Sequence, residues 1–265
     1  MSGFAAIILA GDRGGNDPLV VGQSSHSKAL VHIDGIPMIQ RVLDALGAAA
    51  CIDSLYLSGP LKESLASQAD LRARIDSGSV LWRAPQETPS TSAYSVLLEI
   101  PDIKPVLLTT ADLPLLQARF IEHFCAQALT SGADVVVGLA PYTLVRESFP
   151  DMKKTVLRFS DGAYCGCNLF AFMTPAGRTM ADRWRAVENQ RKSPLKVIRL
   201  LGWGAVLRYR LGLLSLDSAL ALLSRKMGLR LAAVRMPFAE AAVDVDSLDD
   251  HRQVESRLQS ARRLA

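Results

Sequence analysis

The chain has 265 residues, 49% apolar and 21% charged, with a formal net charge of +4 and a pI near 9.0. That length and balance fit one large soluble globular domain, or a domain with an appendage, and exclude a disordered or fibrous chain. The small basic surplus suits an anionic small-molecule substrate or a membrane surface, but is too weak to indicate nucleic acid, for which no binding signature is present.

Phe4 to Ala10 is an apolar run that predicts a strand. It leads into Gly11-Asp12-Arg13-Gly14-Gly15-Asn16-Asp17-Pro18, a loop of glycines and small polar residues whose backbone N–H groups can approach a phosphate closely. Neither standard phosphate fingerprint fits. The spacing of Gly11, Gly14 and Gly15 is not the dinucleotide pattern, and no glycine precedes Lys28 as a P-loop requires. Lys28 to Ile33 reads as a strand or extended segment, and Asp34-Gly35 as a turn. Pro37 suits the first position of a helix whose buried face carries Met38, Val42, Leu43 and Leu46.

Ser54 to Ser58 and Ser79 to Trp82 predict short strands, with a helix over Lys62 to Arg74 between them. The polar stretch from Ala84 to Ala93 enters a helix for which Ser90 is the expected N-cap, with Val96, Leu97 and Ile100 facing inward. Val106-Leu107-Leu108-Thr109-Thr110-Ala111-Asp112-Leu113-Pro114 is the stretch around which the rest is arranged. Its apolar run predicts a buried central strand, and Pro114 stops it near Asp112. A carboxylate therefore stands at the carboxyl end of a central strand, where open α/β sheets place their ligands. Capping the following helix is the plainer role for Asp112, but a buried charge calls for a metal or substrate partner.

Gln117 to Ser131 predicts a helix burying Phe120, Ile121, Phe124 and Leu129, and Ala133 to Leu139 another strand. Lys153 to Phe159 and Asn168 to Phe172 read as strands around a Ser160-Asp161-Gly162 turn. Thr174-Pro175 is a helix start. Lys192 to Leu214 interleaves apolar residues with Lys196, Arg199, Arg208 and Arg210, and holds Trp203 and Tyr209. A peripheral membrane contact, a helical cap and a homodimer contact all fit it. The packed readings are preferred because two glycines interrupt the segment. Ser215 caps a helix ending at Gly228, Leu229 to Met236 is a last strand, and Ser247 with Asp250 starts the final helix. Strands alternating with helices predict a mainly parallel sheet covered on both faces.

Cys51, Cys125, Cys165 and Cys167 form neither a disulfide framework nor a zinc spacing. Cys165 and Cys167 are expected to point to opposite faces of a strand. Reduced thiols, an N-terminus without a secretion leader and no bilayer-length apolar run imply a cytoplasmic protein, with membrane association left open by residues 192–214.

Taken together, Ala6-Ile7-Ile8-Leu9-Ala10-Gly11, Ser27-Lys28-Ala29-Leu30-Val31, Gly35-Ile36-Pro37-Met38-Ile39, Asp112-Leu113-Pro114 and Val243-Asp244-Val245-Asp246-Ser247-Leu248-Asp249-Asp250 resemble, in order, the motifs of the MobA-like, GT-A-type nucleotidyltransferases. The resemblance covers roughly residues 4–170 and 230–260. It implies a Rossmann-like three-layer α/β/α sandwich with a mixed, mostly parallel sheet. It implies one domain over residues 1–265, with a helical insertion or acceptor-side cap at 174–228. It further implies phosphate binding by Ala10, Gly11, Gly14, Gly15, Arg13 and Lys28, Mg²⁺ on Asp112 and Asp246, Ser90 and Ser92 near the base, and Asn168 beside the acceptor. The catalytic set is then Lys28, Arg13 and Asp112. Lys154, Arg158 and Lys196 are further candidates for the acceptor's phosphate. Departures from the pattern are Asp12 in place of a second glycine, a longer loop from Arg13 to Lys28, and Leu248 in place of proline.

The activity so implied is transfer of NMP from an NTP to a phosphorylated small-molecule acceptor, with release of pyrophosphate. Two rivals remain: a GT-A-type glycosyltransferase, which would want Asp-x-Asp at the strand end, and a non-catalytic nucleotide-binding protein.

Overall fold

The computed structural model describes residues 3–12, 17–20, 27–187 and 202–264. Strand β1 (Phe4–Leu9) is buried on both faces, its even and odd residues packing into two different clusters. A 3-10 turn at Lys28–Leu30 precedes the short strands β2 (His32–Ile33) and β3 (Ile36–Pro37). Asp34 and Gly35, both at positive φ (51° and 77°), join them in the manner of a two-residue hairpin turn. Helix α1 (Met38–Ala48) then returns to β4 (Ile52–Ser58), followed by α2 (Ala69–Asp76), β5 (Leu81–Arg83), α3 (Pro89–Leu97) and β6 (Val106–Thr110). Helix α4 (Ala118–Thr130) leads to β7 (Val135–Pro141), α5 (Tyr142–Ser148), the hairpin β8 (Val156–Phe159) and β9 (Gly162–Phe172), and α6 (Pro175–Val187). Helices α7 (Trp203–Arg210) and α8 (Leu216–Met227), strand β10 (Leu231–Arg235) and α9 (Leu248–Leu264) complete the described chain.

The sheet runs β10-β7-β9-β6-β1-β4-β5, with β8 paired to β9. Only the β9 pairings are antiparallel; β10–β7, β6–β1, β1–β4 and β4–β5 are parallel. Helices α1 and α4 cover one face, with Val42, Leu43, Phe120 and Phe124 against Phe4, Ala6 and Ile8. Helices α3 and α6 cover the other, with Val96, Leu97 and Met180 against Ala5 and Ile7. This is the expected Rossmann-like three-layer sandwich. Residues 188–201, which include Lys196, Arg199 and the first part of the basic segment, lie outside the described residues.

Local details depart from the sequence reading for physical reasons. Lys28–Leu30 is a 3-10 turn, not a strand, and Lys62 to Arg74 divides into a 3-10 turn at Lys62–Leu65 and α2. The N-cap of α3 is Thr88, not Ser90. Its side chain accepts from the Thr91 N–H while the Thr91 hydroxyl accepts from the Thr88 N–H, and Pro89 fills the first helical position. Leu129 is exposed, since Cys125 and Ala128 take the inner face of α4. Residues at i and i+2 of a strand share a face, so Cys165 and Cys167 both enter the same core instead of opposing faces. All four cysteines are free thiols.

Candidate active site

Successive strands of this sheet change direction around β1. The chain passes from β1 to β4 and β5 on one side, then to β6 on the other. The carboxyl ends of β1 and β6 therefore flank the switch point, where crevices for ligands form in open α/β sheets. Their ends are in register: Leu9 pairs with Thr110 across β6 and with Ser58 across β4. The Ala111 N–H donates to the Leu9 carbonyl (3.0 Å) and the Ala10 N–H to that of Ser58 (2.8 Å). Ala10, Gly11, Asp112 and Gly59 thus leave the sheet at one level.

Strand β9 widens this end. Its residues 167–169 lie opposite the single residue Gly138 of β7, a bulge in which Asn168 takes a positive φ of 48°. A Cβ on Gly138 would come within 3.2 Å of the Leu169 Cβ, so the backbones pack closely at the bulge. Because β9 pairs with β6 only up to Leu108, the segment after β10 can approach β6 beyond it. There the Val245 N–H donates to the Asp112 carbonyl at 3.0 Å. Val243 and Val245 are buried beside Leu19, Val31, Met38 and Val254, a cluster beneath the loops of this end. Asp244 and Asp246 alternate with them.

Three of the expected residues meet here. The Lys28 ammonium donates to Asp112 Oδ2 at 2.9 Å and also to Asp246 Oδ1. Asp112 Oδ1 accepts from the Thr110 hydroxyl at 2.5 Å. Burial acts against the charged Lys28, but the charges of Asp112 and Asp246 and their hydrogen bonds outweigh it, and its pKa rises. Two carboxylates that converge on one ammonium are spaced to share a cation. Among the described residues no group of three or more His, Cys, Asp or Glu gathers into an all-protein metal cage. Two carboxylates, that of Asp246 largely exposed, are the kind of oxygen donors magnesium takes alongside waters and substrate phosphates, and are unlike a structural zinc site.

Arg13, Gly14 and Gly15 lie outside the described residues, so their places in the loop are not seen. Asp12, the residue that breaks the glycine pattern, accepts from the Ser27 hydroxyl (2.9 Å) and the Lys28 N–H (3.0 Å). It ties the start of the loop to the segment that presents Lys28. Burial raises its pKa against the lowering effect of those two hydrogen bonds. Nothing in the composition marked Asp12 as more than a departure, and Thr110 gave no signal beyond its place before an acid.

The loop before α3 packs on this site. A Cβ on Gly11 would stand 3.2 Å from the Pro85 Cβ. Ser92 is buried and its hydroxyl accepts from the Gln86 N–H at 2.8 Å, while the buried Ser90 hydroxyl bonds to that of Thr88 at 3.1 Å. Both serines thereby brace the loop near Gly11. Lys154, nearly buried, pairs with Asp244 at 2.5 Å and reaches its carbonyl. Arg158 sits on the outer hairpin with its guanidinium over the Tyr142 ring.

A doubly covered, mostly parallel sheet of this order is the Rossmann-like fold that nucleotidyltransferases share, and here a lysine and two acids stand at its switch point. The chain belongs to the MobA-like NTP transferase domain family, whose model matches residues 6–155. A hypothetical transferase from Thermus thermophilus is 28% identical, with a TM-score of 0.76 over 94% of this chain and 99% of that one. That likeness runs well past the family match into the C-terminal part. Two less similar structures share the fold. One is CMP:2-keto-3-deoxy-manno-octonic acid synthetase complexed with CTP (14% identity, TM-score 0.58, 98% and 100% coverage). The other is 4-diphosphocytidyl-2C-methyl-D-erythritol synthase from Anaerococcus prevotii (13%, 0.60, 97% of each chain). No curated protein matches the sequence significantly.

Proposed function

We propose that this chain is a Mg²⁺-dependent nucleotidyltransferase that joins the NMP of an NTP to a phosphorylated small molecule and releases pyrophosphate. The observation that carries the reading is the convergence of Asp112 and Asp246 on the Lys28 ammonium at the carboxyl ends of β1 and β6. A triphosphate is a polyanion, and Lys28 is the cation aimed at the crevice where it would lie. Backbone amides from Ala10 onward, with Arg13, Gly14 and Gly15, would complete the phosphate cradle.

Asp112 and Asp246 would hold the magnesium ion. When bound, it supplies charge stabilisation to the phosphate oxygens and the departing pyrophosphate. The rest is done by the chain. Lys28, drawn toward the triphosphate, neutralises charge on the phosphates. Thr110 fixes the Asp112 carboxylate by its hydrogen bond. The loop braced by Ser90 and Ser92 walls the nucleoside, and Asn168, displayed by the β9 bulge, faces the acceptor. An acceptor phosphate oxygen bonds to the α-phosphorus as the bond from that phosphorus to the bridging oxygen breaks. The attacking oxygen is already ionised at neutral pH, so positioning and electrostatics replace a general base. One Asp-Leu-Pro at the strand end, without Asp-x-Asp, favours this reading over a glycosyltransferase.

Thermal shift with ATP, CTP, GTP and UTP, each with and without Mg²⁺, tests the nucleotide half. A ligand held by the native state alone raises stability in proportion to the logarithm of its concentration over Kd. A magnesium-dependent shift with one or two nucleotides, lost in Asp112→Ala, supports the reading. A response to nucleotide sugars alone transfers the site to glycosyl chemistry.

A further inference from the structure

We propose that the outward face of α7 docks on an anionic lipid surface. One side of this helix is fixed to the protein. The Tyr209 hydroxyl accepts from the Arg158 N–H at 3.2 Å, its ring meets Phe159 edge-on at 5.8 Å, and Ala205 is buried. Just beyond the helix, the Ser160 N–H donates to the Leu214 carbonyl at 2.9 Å. The opposite side is apolar and solvent-exposed. Leu207 is 60% exposed, Leu211 61%, Leu213 60% and Trp203 73%.

Helical geometry orders that side. At about 100° per residue, Trp203, Leu207 and Leu211 form one stripe. Arg210 borders it on one edge and Arg208 on the other, and both are exposed. Exposed leucines with an arginine on either side are groups that a membrane interface can take up. The leucines enter the acyl boundary, while the guanidinium heads reach back to phosphate.

Charge selects the occupant. The described residues 202–214 carry Arg208 and Arg210 and no acidic side chain. A two-fold contact between copies would set this face against itself, basic edge to basic edge, which costs energy. An anionic leaflet matches it in sign, and each arginine near such a surface strengthens partitioning on the order of five-fold. No helix among the described residues is long and apolar enough to cross a membrane, so the contact is peripheral. The helix packs on the β8–β9 hairpin, whose base adjoins Lys154, so docking would bring the acceptor side of the crevice toward the lipid surface.

The test is co-sedimentation of the full chain with mixed phosphatidylglycerol–phosphatidylcholine vesicles, pure phosphatidylcholine vesicles as reference, at low and raised salt, without nucleotide. Binding to the anionic vesicles that falls with salt, and that drops at least ten-fold in Leu207→Asp and in Arg208→Glu/Arg210→Glu, supports the proposal. The lipid and salt dependence of the wild type decides the matter if a variant misfolds. Absence of sedimentation, or equal binding to both vesicle types at raised salt, overturns it. So does a wild-type dimer that Leu207→Asp converts to monomer without vesicle binding. None of these readouts depends on the nucleotide reading.

Discussion

The backbone N–H of Val245 donates to the backbone carbonyl of Asp112 at 3.0 Å. One main-chain bond therefore sets the distance between two acids 134 positions apart in the sequence, Asp112 and Asp246. It also explains why the carboxylates can meet on Lys28 although they come from different ends of the fold.

The first prediction concerns Asp112. Asp112→Asn keeps the shape and the Thr110 contact but removes the charge. Turnover, measured as pyrophosphate released with the competent NTP and acceptor, should fall roughly a hundred- to a thousand-fold, the size of effect seen when one preorganised electrostatic group is lost. Full turnover in the purified variant would remove Asp112 from the site.

A second prediction concerns Gly59, at the end of β4. Its φ is +86°, and a Cβ there would lie 2.8 Å from the Ala10 carbonyl oxygen and 2.9 Å from the Gly11 nitrogen. These are backbone atoms at the start of the loop proposed to hold the phosphates, and cannot move aside as a side chain could. Gly59→Ala should cost on the order of 2–3 kcal/mol in urea unfolding, combining left-handed strain with a steric clash. It should also weaken NTP binding, whereas Gly47→Ala, in α1 with open space around it, should leave binding unchanged and stability equal or slightly raised.

The layers were legible in the sequence because they rest on hydrophobic periodicity. Phe4 to Leu9 is a continuous apolar run, Val106 to Thr110 is apolar and β-branched, and Met38, Val42, Leu43 and Leu46 lie on one helical face. Asp112 was legible from the strand that Pro114 ends, and Lys28 and Asp246 through motif order. What the sequence concealed depends on tertiary contact. The role of Asp12 arises from the return of Ser27 and Lys28 to it, and the role of Asp244 from Lys154, 90 residues away. The β9 bulge was hidden for the same reason, since it arises where residues 167–169 meet the single residue Gly138 of β7, with Asn168 at positive φ. Helix α5 was missed because its seven residues carry too little periodicity to show.

A third prediction follows from Asp134, which is buried at the start of β7. Its carboxylate accepts from Arg230 Nη2 and from the Arg230 N–H, both at 2.8 Å, and from the Thr174 hydroxyl at 2.9 Å. The Arg230 side-chain bonds, then its backbone bond, hold the carboxyl well below the usual carboxylate range, against burial. A depressed native pKa means that the unfolded chain binds the proton more readily. The stabilisation is therefore complete above the ordinary Asp value of about 3.9 and is lost as pH falls below it. Urea unfolding across that window should show wild-type stability falling with pH and a shallower fall in Asp134→Asn. Parallel curves would exclude Asp134 as a source of the acid sensitivity.

The last prediction separates two roles for Lys154. Its side chain is 7% exposed and its partner Asp244 31%, so the pair is only partly screened. Lys154→Met leaves the Asp244 carboxylate uncompensated two residues before Asp246. The cost should be roughly 2 kcal/mol, below the range for a fully buried pair because solvent reaches the acid. The double variant Lys154→Met/Asp244→Leu should recover most of that loss, since the unpaired charge goes with its partner. If Lys154 serves chiefly to place the 243–246 segment, the single variant should also weaken magnesium-dependent nucleotide binding, with the double variant restoring part of it. An acceptor-binding lysine would behave otherwise: stability and nucleotide binding would hold, and the acceptor KM alone would rise. A combined unfolding and steady-state series on the wild type and the three variants (the third being Asp244→Leu) distinguishes these outcomes.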